Sequence, residues 1–273
     1  MVELSVDSTA HHETLMEACA LASSGVAFGC NPQLLKDDPL LSQKTGPGRQ
    51  FKVMIQSEGS RLNLNYILLS NHREILVNLF TQWGLSIADA DHVADCLFDW
   101  VTPGDLPSLN GAKAADYAKA DLPQRPTGQP FTSFDEVEQV IGMDLVEKAR
   151  SNWQDSFTLW SSGPLNVSEA PADLIAAVFS LDPKRVFFFT EARNGQDGLA
   201  GTADDVKVPD LRTFQGDLGI DDILMTSLGN QVSLDDPIRR VESIGQADGA
   251  QVMISVVTRL NTSPMQYLLW YEQ

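Results

Sequence analysis

The sequence predicts an α+β protein, and three observations carry that reading. Apolar residues recur at helical spacing near the start and give way to one alternating strand. The middle is a run of short helices with start signals, and from Arg239 onward the apolar period becomes two. A helical block interrupting a helix-and-sheet pair fits a layered α+β protein with a discontinuous domain.

The first element is a helix from about Ser8 to Gly29, with Leu15, Ala18, Cys19, Ala22 and Val26 at three- and four-residue steps. Its apolar face is built from small residues and lets the helix approach a neighbour closely. Asn31-Pro32 ends it, and the segment Lys44 to Gly48 reads as a loop. Phe51 to Ile55 is a strand with Phe51, Val53 and Ile55 on one side.

In the central block, Asn71 with Glu74, Ser86 with Asp89, and Ser133 with Glu136 are capping signals, and Gly84 is a stop. Pro171 and Pro183 mark two more helix starts, since proline is tolerated in a first turn. Thr102 to Pro130 reads as a long Pro- and Gly-rich loop. Asn194 to Asp236 holds nine Asp and two basic residues, which makes it an acidic, turn-rich insertion. Asp248-Gly249 between alternating runs predicts a hairpin inside a closing antiparallel meander. The expected division is residues 1–62 with 230–273 as one discontinuous domain, and 63–229 as an inserted helical domain carrying the acidic loop 194–229.

Charge narrows the function classes. With 37 acidic against 19 basic side chains and a net charge of −18, the chain gains nothing from counterion release on nucleic acid, and anionic lipid repels it. This argues against a helix-hairpin-helix nucleic-acid module, which turns such as Gly142-Met143 and Gly219-Ile220 would otherwise suggest. No stretch is apolar for long enough to span a membrane, and Met1 to Ala10 lack the pattern of a secretory signal. Cys19, Cys30 and Cys96 form no C-x-x-C pair and read as small core residues.

No catalytic residue is expected. His11, His12, His72 and His92 lack metal-like spacing, and no nucleophile motif, phosphate-binding loop or dinucleotide glycine pattern is present. Metal is a different matter. Asn194, Asp197, Asp204 and Asp205 surround glycines that permit a tight oxygen-rich loop, the chemistry that calcium favours. Asp99, Asp105 and Asp116 form a sparser candidate of the same kind.

Several segments, in order, resemble the general secretion pathway protein K family, the large minor pseudopilins of type II secretion. They are Arg61-Leu-Asn-Leu-Asn65, Ala94-Asp-Cys-Leu-Phe-Asp-Trp100, Leu109-Asn-Gly-Ala112 with Asp116-Tyr117, Phe131-Thr-Ser-Phe-Asp-Glu136, Ile141-Gly-Met143, and Leu165-Asn-Val-Ser-Glu-Ala-Pro-Ala-Asp-Leu174. Thr102, Gly104, Lys113, Ala114 and Ala115 depart from the family's acids around Asp99. The resemblance implies a pilin-like N-terminal helix on an antiparallel sheet, with a large all-helical domain inserted after the first strand.

It also implies a non-enzymatic subunit that caps the tip of a secretion pseudopilus. Its partners would be other minor pseudopilins, met through the sheet edge and a helix face of Leu15, Cys19, Ala22 and Val26. The expected location is the periplasmic side of the inner membrane, with a membrane-spanning N-terminal helix that this sequence lacks. The alternative is an extracellular, calcium-stabilised binding module of unknown partner.

Overall fold

The computed structural model describes residues 2–122, 125–260 and 262–273, with side chains from His12 onward. They form two compact units. One holds the chain through Glu58, Gln196–Asp205 and Asp236–Gln273; the other holds Gly59–Gly195 and Val206–Asp235. The segment 196–205 thus clusters with the chain ends, not with the helical block to which the sequence reading gave 194–229. The reason is local: the Lys36 ammonium donates to the Ala200 carbonyl, the Lys36 amide donates to Gly201 O at 3.4 Å, and Ala203 N donates to Asp37.

In the first unit, α1 (Val2–Gly29) lies on a five-stranded antiparallel sheet of order β1-β2-β7-β8-β9. The strands are β1 Ser42–Gly46, β2 Arg49–Ser57, β7 Ile238–Ala247, β8 Ala250–Arg259 and β9 Gln266–Glu272. The helix starts before Ser8 because no Gly or Pro between Val2 and Asp7 opposes it. Lys44 to Gly48 is not a plain loop: its glycines and proline turn the chain from β1 into β2, with Gly48 at φ +68°. The helical block therefore follows the second strand, not the first.

Helix and sheet approach closely because both surfaces lack bulk. Ala18, Ala22, Gly25, Val26, Gly29 and Cys30 are buried at helical spacing, and a cluster of Phe51, Val53, Ile55, Val241, Ile254 and Val256 packs beneath Ala22, Val26 and Cys30. A Cβ at Gly25 would fall on Ser243 Oγ, and one on Gly245 of β7 would fall on the α1 backbone at Ala18 and Ala22. Asp248 and Gly249 take φ +44° and +94°, the left-handed pair that a two-residue hairpin turn requires. Where β2 leaves the sheet, Glu58 is fully buried and accepts two hydrogen bonds from Arg240, at 2.9 and 2.8 Å.

The second unit is mainly helical: α2 Leu64–Leu69, α3 Glu74–Gln82, α4 Ile87–Val101, α5 Ala114–Lys119, α6 Phe134–Glu138, α7 Met143–Ala149, α8 Ala172–Phe179, α9 Pro183–Arg193, α10 Leu211–Leu218 and α11 Asp222–Leu228. It is not all-helical. Two short parallel pairs, β3 (Leu62–Asn63) with β4 (Phe157–Thr158) and β5 (Leu165–Asn166) with β6 (Val232–Ser233), stitch distant turns together. Ser86, Ser133 and Asp182 cap α4, α6 and α9 as expected, each accepting a backbone N–H. Asn71 does not cap α3; it sits at φ +61° just beyond α2, which Asn63 caps instead. Trp100, Tyr117, Phe80, Phe157, Phe179 and Phe214 are fully buried within the unit's core. Each of these aromatic side chains buries more apolar area than an aliphatic neighbour of the same core.

Candidate functional site

The described residues contain no group of three His, Cys, Asp or Glu side chains placed to hold a metal ion. In the loop that starts at Asn194, the carboxylates face donors. Asp204 Oδ2 accepts from Gln196 N at 2.6 Å and from Asp197 N at 3.3 Å, while its Oδ1 accepts from Thr202 Oγ1 at 2.9 Å. Asp205 accepts from Gly201 N at 2.5 Å and from Thr202 Oγ1, and Asp197 accepts from Leu199 N at 2.7 Å. The Thr202 hydroxyl, with the Gln196 and Asp197 amides, holds the Asp204 carboxyl below the usual carboxylate range. Asn194 is the C-terminal cap of α9, and its side chain accepts from Arg193 Nε at 2.9 Å. As folded, these oxygens accept from N–H and O–H groups of the loop itself.

The carboxylates of the sparser candidate meet different partners. Asp99 is buried and accepts from Ser108 N at 2.8 Å and Ser108 Oγ at 2.9 Å. Asp105 is exposed, and Asp116 caps α5 by accepting from Lys113 N. Between them the buried Lys113 ammonium donates to Asp99 O at 2.6 Å and Thr102 O at 2.7 Å, with Thr102 Oγ1 at 3.5 Å. The chain thus supplies its own cation to these oxygens, and the sequence reading missed it because Lys113 registered only as the loss of an acid.

Two of the histidines make local contacts. His72 Nδ1 lies 2.7 Å from Glu74, and His92 Nδ1 lies 2.5 Å from Asn110 O. His12 is exposed, and the His11 side chain lies outside the described residues. Burial pushes the Cys96 thiol up to about 12 and the Cys30 thiol up to about 11, so neither is a ready nucleophile.

What the first unit does offer is an uncovered edge. β9 pairs with β8 alone, and a register shift opposite Val257 and Thr258 bulges it. Tyr267, Leu268, Trp270 and Tyr271 are between 38% and 52% exposed on this short strand. Tyr267 and Trp270 rings meet edge-on at 5.4 Å, and Trp270 Nε1 donates to Glu272 at 2.8 Å. A free sheet edge studded with aromatics is the feature that proteins otherwise blunt with charge or proline. The helix face expected for partners is only partly available. Ala22 and Val26 are buried against the chain's own sheet, Cys19 packs against the same cluster and Leu15 is half-buried, because the small residues that would suit a partner suit the sheet first. Met16 and Phe28 are the large apolar side chains that α1 leaves exposed among its described residues.

The described helices include none long and apolar enough to cross a membrane. No curated protein matches the chain. Residues 60–150 match the family model for type II secretion system (T2SS), protein K. A chain of the crystal structure of the GspK-GspI-GspJ complex from the enterotoxigenic Escherichia coli type 2 secretion system superposes with a TM-score of 0.71 at 14% identity, covering 98% of this chain and 99% of that chain. The resemblance to type II secretion protein K is therefore borne out, through a matched domain within the helical unit and a shared fold over nearly the whole chain.

Proposed function

We propose that this chain is a minor pseudopilin, a non-catalytic subunit that assembles with other pilin-like proteins and closes the end of their fibre. The observation that carries the reading is the pairing of a type II secretion protein K match in residues 60–150 with the fold of a chain from the GspK-GspI-GspJ complex. The partners would be proteins of the GspI and GspJ kind, and the β9 edge with the exposed flank of α1 would receive them. Tip capping is part of the proposal because a large helical unit carried by a fibre subunit would hinder the stacking of another. The working place would be the periplasmic side of the inner membrane.

Mixing the purified chain with GspI- and GspJ-type proteins tests the proposal. A co-eluting complex is expected at micromolar concentration, and Trp270→Ala should weaken it about tenfold, the usual cost of losing an interfacial aromatic anchor. Absence of any complex would remove the reading.

Calcium binding by Asp197, Asp204 and Asp205 belongs to the same proposal, and its support is the composition of the loop. It requires the carboxylates to exchange their present donors for the ion. Calcium raising the melting temperature, with Asp204→Ala abolishing the rise, would support it. A melt indifferent to calcium and chelator would leave a self-bonded loop.

A further inference from the structure

One concave site on the helical unit is lined by more cations than carboxylates. A groove of about 520 Å³ runs between α9 and the segment Val206–Pro209 that leads into α10. Its lining carries Arg185, Arg193 and Lys207 against a single carboxylate, Asp217, on a chain of net charge −18. Arg193 is spoken for: it is buried, and its guanidinium donates to Val167 O at 2.7 Å and Ala170 O at 2.9 Å. Arg185 and Lys207 are exposed, and among the described residues neither side chain makes a hydrogen bond or ion pair. Arg185 lies against Gly219, at the C-terminal end of α10, where the helix dipole favours a cation.

The walls are apolar and face water. Phe188 is 72% exposed and Val206 63% exposed, and Phe187 beside them is also exposed. Neither fold nor core needs two adjacent phenylalanines in solvent on a helix whose inward residues are Val186 and Thr190. An open groove with apolar walls and two free cations complements an occupant that is apolar on one side and anionic on the other.

We propose that this groove binds an extended acidic peptide segment, with apolar side chains against Phe188 and Val206 and carboxylates reaching Arg185 and Lys207. The groove lies within the helical unit and does not depend on the assembly reading. On a chain with 37 acidic against 19 basic side chains, the two cations also set where such a segment lands.

The test uses the whole chain and a fluorescein-labelled Glu-Leu repeat peptide of about eight residues, titrated by anisotropy to about 1 mM beside Lys-Leu and Glu-Ser repeats of equal length. The Glu-Leu peptide should bind, and the other two should not. Arg185→Glu combined with Lys207→Glu should weaken binding by about tenfold or more, as should Phe188→Ser, because each removes one half of the complementarity. These side chains are exposed, so an unchanged melting temperature verifies that the variants are folded. The proposal is overturned if the Glu-Leu peptide fails to bind, or if it binds the double variant equally well. It is overturned equally if phosphatidylglycerol vesicles, and not the peptide, are retained through Arg185 and Lys207.

Discussion

Two loops of similar composition are held in opposite ways. Between Asp99 and Lys113 the organising group is a buried ammonium, with backbone and hydroxyl oxygens converging on it. Between Gln196 and Asp205 the organising groups are carboxylates, with amides and a hydroxyl converging on them, and a half-buried Lys36 braces the rim. A buried charge that satisfies several acceptors is costly to remove, because those acceptors cannot turn to water. An exposed carboxylate shares its work with solvent, so its loss is cheaper. Sequence composition made the two loops look alike; burial makes them different.

Lys113→Ala should have the largest effect, destabilising the chain by about 3 kcal/mol in urea denaturation, because the carbonyls of Asp99 and Thr102 lose their donor inside the unit. A loss under about 1 kcal/mol would mean that water replaces the ammonium and that the contrast is false. Asp99→Ala should follow at about 2 kcal/mol, since it strands the Ser108 amide and hydroxyl. Lys36→Ala should be smallest, at about 0.5 kcal/mol, as expected for a half-exposed lysine at a loop rim.

Acid sharpens the same contrast. The folded Asp204 carboxyl titrates below its unfolded value, so its stabilising contribution is complete above the unfolded value and is lost as pH falls through the lower, folded one. Below about pH 4, the protection of the Gln196 and Asp197 amides, taken relative to their intrinsic exchange rate at each pH, should fall, and Asp204→Asn should remove that dependence. An equal fall in the variant would assign the effect to another group.

The order of layers was legible because it rests on periodicity: the opening helix, β2 and the closing meander each repeat at their own period over many residues. The Asp248-Gly249 turn was legible because its backbone demands those residues. Other elements were hidden by the same chemistry that forms them. Asp210 and Asp221 are the caps of α10 and α11, each accepting a backbone N–H, yet a run of Asp among glycines reads as turns. β1 escaped notice because its Ser, Gln, Lys and Thr alternate no apolar face, so pairing with β2 alone makes it a strand. For the proposed partner surface, spacing located the small-residue stripe of α1, but spacing could not reveal that Ala22 and Val26 are spent within the chain. Only the sheet order exposes β9 as an edge, and nothing local in Gln266 to Glu272 announces it.

Ser57 and Arg239 face each other across β2 and β7, so the chain leaves the sheet and comes home at neighbouring rungs of one ladder. Paired Cα atoms in such a ladder stand about 5 Å apart, and closing an excursion costs free energy only with the logarithm of its length. The excursion can therefore grow, shrink or be exchanged for another while the strand register on either side stays as it is. Such a port lets evolution, or an engineer, alter the bulk of the helical unit without redrafting the sheet that carries it.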